Sequence, residues 1–300
     1  MKKYKTEKVS GGVNINEIYK ELVNLGLSDT KEIVLHEIRH KAGISLYKVT
    51  YKNNHYVLKY FVKVEDRREI KNYSVLNKAS IPTIKVIAST NRALLLEDLN
   101  HSNHYRLGVS SDLSDVEVAK ALAVWYIKLH NIRLPENYEN HYQETAVITR
   151  ENIEFIKNKS NTSDNKIWDL ILDNFELILD KENKLEKTLT YNDFYWTNLA
   201  VSKDKKEAIM FDYNLLGVSY RYSDFRNVCS SLQAGAREVF IKEYGAINET
   251  EAIIDAGLAI LINLIFAYKR PKFPEWAKQS LGCIYSGELE KAIIKILNLA

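Results

Sequence analysis

The residues best suited to chemistry lie in the segment 190–198 and in the strand-like runs that follow it. Asp193 and Asn198 stand five residues apart on a predicted loop, and Asp212 ends a predicted hairpin. In phosphoryl transfer, one carboxylate orients the attacking hydroxyl and receives its proton. An asparagine carbonyl and a second carboxylate are hard oxygen ligands, which suit Mg²⁺ held against nucleotide phosphates. These residue types at this spacing therefore indicate phosphoryl-transfer chemistry.

A second motif begins at His36 and fits the His-Glu-x-x-His pattern of zinc metalloproteases. Such a site needs two histidines one helical turn apart, here His36 and His40, with Glu37 as general base. The flanking residues are strand-like, however, and on a strand the two histidines lie about 13 Å apart. Glu65 and Glu69 are the remaining choices for a third ligand. A chance pattern on a surface strand is favoured, and a zinc protease is the third choice of function.

Hydrophobic periodicity divides the chain into a sheet-rich region and a helix-rich region. Before residue 100, helices are predicted over 13–25 and 66–79, and strands over 33–38, 44–51, 55–61, 84–88 and 93–96. Beyond it, helices are predicted over 114–131, 146–158, 164–180, 250–269 and 288–299, interrupted by a hairpin within 188–211. Ser114 and Glu117 form a predicted capping box. We expect two lobes, residues 1–99 and 100–300, joined by a hinge.

The composition excludes several classes of protein. The chain has 300 residues, 46% of them hydrophobic, and a net charge of +3, so it can bury a core and gives no strong signal for nucleic acid. Two cysteines cannot build a disulfide scaffold or a structural zinc site. The N-terminus lacks a secretory signal, and the apolar run 257–268 is too short to span a bilayer. We expect a soluble cytoplasmic monomer or homodimer that binds neither nucleic acid nor membranes.

The order of the features resembles one family. Lys59 on the third predicted strand is followed by Glu69 on the next helix, by a hinge, by a helical region and then by the Asp193 loop. Over nearly the whole chain this is similar to protein-kinase-like small-molecule kinases, which include aminoglycoside phosphotransferases and choline/ethanolamine kinases. The resemblance implies an α+β, bilobal protein-kinase-like fold with a small antiparallel-sheet N-lobe and a larger, mainly helical C-lobe. It also implies ATP and Mg²⁺ as cofactors.

The resemblance gives each motif residue an expected role. Asp193 is similar to the catalytic base, Asn198 and Asp212 to the metal ligands, and Asp224 to the buried aspartate that braces the catalytic loop. Tyr191 stands where the family usually has a histidine, and it is expected to support the loop.

The nucleotide contacts are also implied by the resemblance. The residues concerned are Lys59 with its partner Glu69, Glu97 and Leu99 in the hinge, and Gly43 and Ser45 in the first turn. Only 11 residues are glycine, which argues against a P-loop or a dinucleotide-binding fingerprint. A site that holds phosphates through Mg²⁺, a lysine and carboxylates needs few glycines, and Gly43 is the one expected near the phosphates.

The sequence indicates the chemical class of the molecule that accepts the phosphoryl group, but not the molecule itself. Asn192-Asp193 and the positions of Tyr220, Arg221, Asp224 and Asn227 after Asp212 are similar to choline/ethanolamine kinases, whereas overall size and the hinge are equally similar to aminoglycoside phosphotransferases. Both subgroups bind small cationic alcohols, which require carboxylates and aromatic faces. Candidates in the C-terminal third are Glu238, Glu243, Tyr244, Asp255, Tyr268 and Trp276. A nucleotide-binding pseudokinase or scaffold, with Tyr191 as a sign of lost chemistry, is the alternative.

Overall fold

The computed structural model describes residues 13–134 and 142–300. Its strands are β1 (Ile33–Lys41), β2 (Ile44–Tyr51), β3 (Asn54–Phe61), β4 (Val86–Ser89), β5 (Ala93–Glu97), β6 (Tyr105–Leu107), β7 (Thr188–Thr190), β8 (Leu199–Ser202), β9 (Ala208–Met210) and β10 (Gly217–Ser219). Its α-helices are α1 (Ile15–Asn24), α2 (Arg68–Lys78), α3 (Val116–His130), α4 (Arg150–Lys159), α5 (Ile167–Asp173), α6 (Phe175–Asn183), α7 (Arg221–Ser231), α8 (Ala234–Tyr244), α9 (Glu249–Tyr268), α10 (Lys278–Tyr285) and α11 (Glu288–Leu297).

The described residues form two compact units. The first contains 13–128, 193–216 and 231–244, and the second contains 129–134, 142–192, 217–230 and 245–300. This division follows Cα packing and does not test the predicted lobe boundary at residue 99, which stays a prediction.

The first unit is organised by an antiparallel five-stranded sheet in the order β1-β2-β3-β5-β4. Alternate side chains of a strand point to opposite faces. On one face, Tyr47, Leu58 and Tyr60 pack in one cluster with Ile18 and Leu22 of α1. The alternate residues of β2 and β3 therefore face away from α1, which leaves that second face for a site.

The second unit is mainly helical. Helix α9 packs against α4, α10 and α11, with Leu258, Leu261 and Ile265 fully buried in its core. By length and composition α9 could cross a membrane, with a mean hydropathy of 1.8 over 18 residues. In the structure 61% of that window is buried inside the protein, as in the core helix of a soluble fold.

Several predicted elements differ from the structure. The predicted helix 164–180 is two helices, α5 and α6, which meet at Asn174. The predicted hairpin with the turn 203–207 is confirmed, because β8 pairs with β9; the other strand run predicted nearby, β7, pairs with β10, a strand that was not predicted. Helices α7, α8 and α10 were not predicted. Their buried residues include polar groups such as Ser223 and Asp224, which blur the helical hydrophobic pattern.

The start of α3 also differs from its prediction. Ser114 lies in a short 3₁₀ helix, and the cap is Asp115, whose Oδ1 accepts the backbone N–H groups of Glu117 at 2.9 Å and Val118 at 3.2 Å. An N-cap carboxylate that accepts from the second and third helical residues is the usual arrangement, so the cap lies one residue later.

Candidate active site

Lys59 is the centre of a buried ion cluster in the first unit. It lies on β3 on the face opposite α1, and only 4% of its surface is exposed. Its Nζ is 2.5 Å from Glu69 Oε2 on α2 and 2.7 Å from Asp212 Oδ1. Burial alone would lower the pKa of Lys59, but the charges of Glu69 and Asp212 outweigh it and raise that pKa. The lysine is therefore a fixed cation.

Glu69 is buried more completely than its partners. Burial raises its pKa to about 7, the Lys59 charge opposes that shift, and the charge of Asp212 adds to it. The fixed position of Glu69 comes from α2, which Asn72 ties to the chain after Asp212 through a 2.7 Å hydrogen bond from its Nδ2 to the Tyr213 carbonyl.

Asp212 stands just after β9, in a left-handed backbone conformation with φ 64° and ψ 66°. This conformation is uncommon for residues other than glycine, although aspartate and asparagine adopt it more readily than most. Oδ1 of Asp212 contacts Lys59, and Oδ2 has no hydrogen-bond partner among the described residues. One carboxylate oxygen thus remains for a ligand.

Asp193 and Asn198 are joined by the loop between β7 and β8. The Asn198 Nδ2 donates to Asp193 Oδ2 at 3.1 Å and to the Asp193 carbonyl at 3.3 Å. Burial and then the nearby Asp212 charge raise the pKa of Asp193 to about 6, against the lowering effects of Asn198 and Lys59. Oδ1 of Asp193 and Oδ1 of Asn198 have no hydrogen-bond partner among the described residues. The loop therefore presents one carboxylate oxygen and one amide oxygen.

A cavity of about 570 Å³ in the first unit is lined by four of these groups, and Asp193 is not among its lining residues. Its polar wall includes Lys59, Glu69, Asn198 and Asp212. Its apolar wall is formed by Leu46, Val57, Ile84, Leu96, Leu107 and Phe211. An apolar cleft with a few convergent polar groups is the usual form of a small-molecule site.

The predicted hinge lies along one side of the same cavity, which Glu97, Asp98 and Leu99 line. Glu97 makes two hydrogen bonds with the backbone of Lys85. Its Oε1 accepts the Lys85 N–H at 2.8 Å, and its own N–H donates to the Lys85 carbonyl at 3.0 Å. Leu99 is nearly buried, and within the described ranges its backbone N–H and C=O make no hydrogen bond. Leu99 thus offers a backbone donor and acceptor for a planar heterocycle.

The turn between β1 and β2, which was expected to contact the phosphates, lies away from the cavity lining. Gly43 adopts φ 88° in the turn between β1 and β2, and Ser45 is fully buried with its hydroxyl 2.7 Å from His40 Nδ1. Neither residue lines the cavity. Their contact with a nucleotide therefore stays a prediction without support from this geometry.

Two cations line the cavity instead, Arg39 and Lys48, which sequence reasoning missed. Lys48 lies on the same face of the sheet as Lys59, and the residue opposite it on β3 is Val57. The pairing of β1 with β2 shifts register between residues 37 and 39, just before Arg39. Such a β-bulge inserts an extra residue into one strand and changes the direction of the side chains beside it. The alternation of β2 could have indicated Lys48, whereas no local signal reveals the bulge.

The residues just before Asp193, Tyr191 and Asn192, are held within the second unit. Asp224 is fully buried, and its carboxylate accepts the backbone N–H groups of Tyr191 at 2.6 Å and Asn192 at 2.8 Å. The Nε2 of His130 lies 3.1 Å from the same carboxylate, a partner that sequence reasoning missed. Tyr191 is fully buried, so it fills the core beneath the loop. These contacts have the form expected of a brace for the loop.

A second charge cluster in the second unit contains one of the acceptor candidates, Asp255. Its Oδ2 accepts from Arg226 Nε at 2.6 Å and its Oδ1 from the Tyr220 hydroxyl at 3.1 Å. Glu144 is half-buried nearby and makes no hydrogen bond among the described residues. Burial raises its pKa to about 7, Arg226 opposes this and Asp255 adds to it. The carboxylate of Glu144 is therefore only partly neutralised by Arg226.

The other acceptor candidates show surface or packing roles. Glu238 and Glu243 are exposed, Tyr244 stacks on Phe240 within the first unit, Tyr268 packs against Phe273, and Trp276 carries the guanidinium of Arg270 at 5.5 Å.

The zinc interpretation is wrong for the geometry described. His36 and His40 both lie on strand β1, where they face Lys48 and Ser45 of the neighbouring strand. Glu69, one possible third ligand, is paired with Lys59. Within residues 13–134 and 142–300, no group of three or more histidine, cysteine or acidic side chains is placed to hold a metal.

Solved structures share this fold at low sequence identity. Choline kinase LicA from Streptococcus pneumoniae matches with a TM-score of 0.59 and 11% identity, over 93% of this chain and 99% of its own. A choline/ethanolamine kinase family protein from Mesorhizobium loti gives 0.64 and 11%, over 94% and 99%. The AMP-bound spectinomycin phosphotransferase APH(9)-Ia gives 0.60 and 13%, over 93% and 97%. The predicted α+β protein-kinase-like fold is confirmed.

Sequence comparison gives the family. No curated protein matches the chain. The sequence profile of the phosphotransferase enzyme family, APH, matches residues 35–257, a span that contains Lys59, Glu69, Asp193, Asn198 and Asp212. It covers well over half of the chain, and it agrees with the resemblance drawn from the motifs. The chain belongs to the phosphotransferase enzyme family.

Proposed function

We propose that this phosphotransferase moves the γ-phosphoryl group of ATP to a hydroxyl of a small cationic molecule, with Mg²⁺ as its metal ion. The observation that carries the proposal is the meeting of Lys59, Asp212 and Asn198 on the wall of one cavity, with Asp193 hydrogen-bonded to Asn198. A lysine, two oxygen ligands and a carboxylate base are the groups that phosphoryl transfer requires.

The nucleotide is assigned to the cavity between the sheet and the Asp212 segment of the first unit. Leu99 offers its backbone to the base, and Leu46, Val57 and Leu96 supply apolar walls. The Lys59 ammonium has three donors, of which Glu69 and Asp212 take two. The third is available for a phosphate oxygen.

The metal ligands are assigned to the unbonded Oδ1 of Asn198 and Oδ2 of Asp212. Both are hard oxygen donors on the same cavity, and Mg²⁺ typically takes one or two protein ligands together with phosphate oxygens and water. Bound Mg²⁺ neutralises charge on the phosphates. These residues therefore fit the ion.

Asp193 is assigned as the base. The acceptor hydroxyl donates to Asp193 Oδ1 while its oxygen forms a bond to the γ-phosphorus. The bond from that phosphorus to the bridging oxygen breaks, ADP leaves, and the hydroxyl proton passes to Asp193. With its pKa raised to about 6, the carboxylate is mostly ionised at neutral pH and is a better proton acceptor than an ordinary aspartate.

A cationic acceptor is favoured by the proteins that share the fold. Proteins of similar fold are named for choline and spectinomycin as their substrates. A reducing compartment such as the cytoplasm suits Cys229 and Cys283, which form no disulfide.

The experiment is a coupled ADP-release screen with Mg-ATP against choline, ethanolamine, homoserine, aminoglycosides and other hydroxylated antibiotics. We expect acceptor-dependent ADP release with at least one cationic alcohol, and phosphorylated acceptor by mass spectrometry. Tight Mg-ATP binding without ADP release for any acceptor would contradict the proposal and favour a nucleotide-binding scaffold.

A further inference from the structure

A second cavity, which we call the α6 cavity, lies in the second unit and shares no lining residue with the cavity at Lys59. Its volume is about 180 Å³. It is bounded by the segment 143–148, by Glu182 at the end of α6, by Lys187 just before β7, and by Val218 on β10. These residues take no part in the phosphoryl transfer proposed above.

The α6 cavity contains an ion pair between Glu182 and Lys187. The Lys187 Nζ donates to Glu182 Oε1 and, at 2.9 Å, to the Glu182 carbonyl. The Thr145 hydroxyl donates to the same Oε1 at 3.3 Å. The Lys187 ammonium also lies 5.5 Å from the centroid of the Tyr220 ring. Only 4% of the Glu182 surface is exposed, so these contacts fix its carboxylate at the end of α6.

This ion pair leaves one acceptor and one donor unused. No described residue donates to Glu182 Oε2, and that oxygen keeps access to solvent although the residue is almost entirely buried. The Lys187 ammonium has three donors, of which its contacts with Glu182 use two. A nearly buried charge with an unsatisfied group is costly unless water or a ligand supplies a partner. Both residues line the cavity, so the partner belongs there.

An ion pair that only stabilises the fold is bonded differently. Asp112 is 3% exposed, and Arg106 donates to both of its carboxylate oxygens, at 2.7 and 2.8 Å. The Val109 backbone N–H adds a third bond at 2.8 Å. A helix cap accounts for the bond from Lys187 to the Glu182 carbonyl, but it does not account for a free carboxylate oxygen beside a cavity.

The remaining lining residues are of two kinds. Ile148, Leu179 and Val218 are apolar. Asn183 is polar, and its side-chain amide makes no hydrogen bond among the described residues. The cavity volume is about six times the share of one water molecule in the liquid. The α6 cavity therefore suits a small molecule that has both apolar and polar parts.

The unused groups indicate the chemistry of that molecule. The free oxygen of Glu182 needs a positive donor, and the free donor of Lys187 needs a negative acceptor. Because both groups belong to one ion pair, their two partners must lie close together on the ligand. An α-amino acid carries its ammonium and its carboxylate on a single carbon, so it meets this requirement.

We propose that the α6 cavity binds an α-amino acid with a small aliphatic side chain. Its ammonium donates to Glu182 Oε2, its carboxylate accepts from Lys187 and Asn183, and its side chain contacts the apolar lining. Such an amino acid has no hydroxyl that could accept a phosphoryl group. The site is therefore a function of the chain beyond the proposed phosphoryl transfer.

The probes are L-valine and two analogues that each lack one of its charged groups, isobutylamine and 3-methylbutanoate. With the full chain, we expect saturable binding of valine in isothermal titration calorimetry. The melting temperature should rise with valine concentration, because a ligand that binds only the folded state stabilises it. Each analogue should bind about tenfold more weakly or worse, since it loses one charge-assisted contact.

Two variants alter the α6 cavity in different ways. Glu182→Gln removes the charge that holds the ammonium, and it should weaken valine binding about tenfold. Ala146→Phe adds a ring to the cavity lining at an exposed position, and it should block binding while the ion pair stays intact. Glu176→Gln is the matched control, because it lies on the same helix with a 79% exposed side chain and should leave binding unchanged.

The outcomes are decisive for the α6 cavity alone. No saturable response of the folded protein to valine would overturn the inference and assign the cavity to water. Equal binding of valine and isobutylamine would also overturn it, as would unchanged valine binding in Ala146→Phe, which decides the matter if Glu182→Gln does not fold. ADP release with a hydroxyl acceptor is measured separately, so the proposed function can fail while this site stands, and the reverse.

Discussion

The Lys59 cluster of the first unit and the Arg226 cluster of the second are both buried groups of opposite charges, but their bonding differs. In the second, Asp255 uses both carboxylate oxygens, one for Arg226 and one for Tyr220. In the first, Asp212 uses only Oδ1, for Lys59, and Asp212 lines a cavity. A saturated network stabilises a fold, whereas an unsaturated one beside a cavity is equipped for a ligand.

The largest expected effect is the loss of activity in Lys59→Met. We expect phosphotransfer to fall about 10³-fold, since the substitution removes the phosphate donor and leaves Glu69 and Asp212 unneutralised. Steady-state ADP release measures it, and Lys63→Met, at a lysine with a 54% exposed side chain, is the control. Near-normal turnover in Lys59→Met would mean that the first cluster, like the second, has only a structural role.

Arg226→Met should affect stability more than catalysis. The substitution leaves Asp255 buried without its cation, so the free energy of unfolding should fall by about 3 kcal/mol in a denaturant titration. The phosphotransfer rate of the folded Arg226→Met protein should stay within about threefold of the wild-type rate. Arg221→Met on the same helix, where the side chain is 39% exposed, should change stability by less than about 0.5 kcal/mol. A stable but inactive Arg226→Met protein would make both clusters functional.

Gly108→Ala tests whether the loop that carries Asp193 and Asn198 depends on close packing. The new methyl group would meet the Trp196 and Leu199 carbonyl oxygens at 2.6 and 2.9 Å, so the loop that carries Asn198 must shift. We expect about a tenfold loss of kcat and a stability loss of about 1–3 kcal/mol.

The control for this substitution is Gly235→Ala in α8, where an added Cβ meets nothing within 4 Å. It should be neutral or stabilising by about 0.5–1 kcal/mol, because alanine favours the helix. Equal effects of the two substitutions would show that the loop tolerates movement.

A smaller effect is expected from pH. The pKa of Asp193 is raised to about 6, and the base must be ionised, so kcat/KM should fall as pH drops through about 6. The loss should be about tenfold per pH unit below that value. A profile that is flat between pH 7 and pH 5, with the protein still folded, would remove Asp193 from the role of base.

Much of the candidate site could be predicted because its signals are local. Strand alternation and helical periodicity placed Lys59 on β3 and Glu69 on α2, and the Asp193-to-Asn198 spacing marked one loop. The family resemblance ordered these features along the chain, and the family assignment confirms that resemblance.

The remainder depends on contacts between distant segments. Ser45 was expected near the phosphates, but its hydroxyl lies within hydrogen-bond distance of His40 on the neighbouring strand. Arg39 reaches the cavity through a bulge that no local pattern encodes. The pairing of β7 with β10 and of His130 with Asp224 joins residues that the sequence keeps far apart. Tertiary packing decided each of these.

The central claim is that the first unit binds the nucleotide and that Asp193 acts only in the transfer step. The most direct measurement is the affinity for Mg-ATP by calorimetry together with the single-turnover transfer rate, in the wild type and in Asp193→Asn. We predict an affinity within about twofold and a rate lower by about 10³-fold. Asp204→Asn, at a surface turn, should change neither. Near-normal transfer by Asp193→Asn would contradict the account.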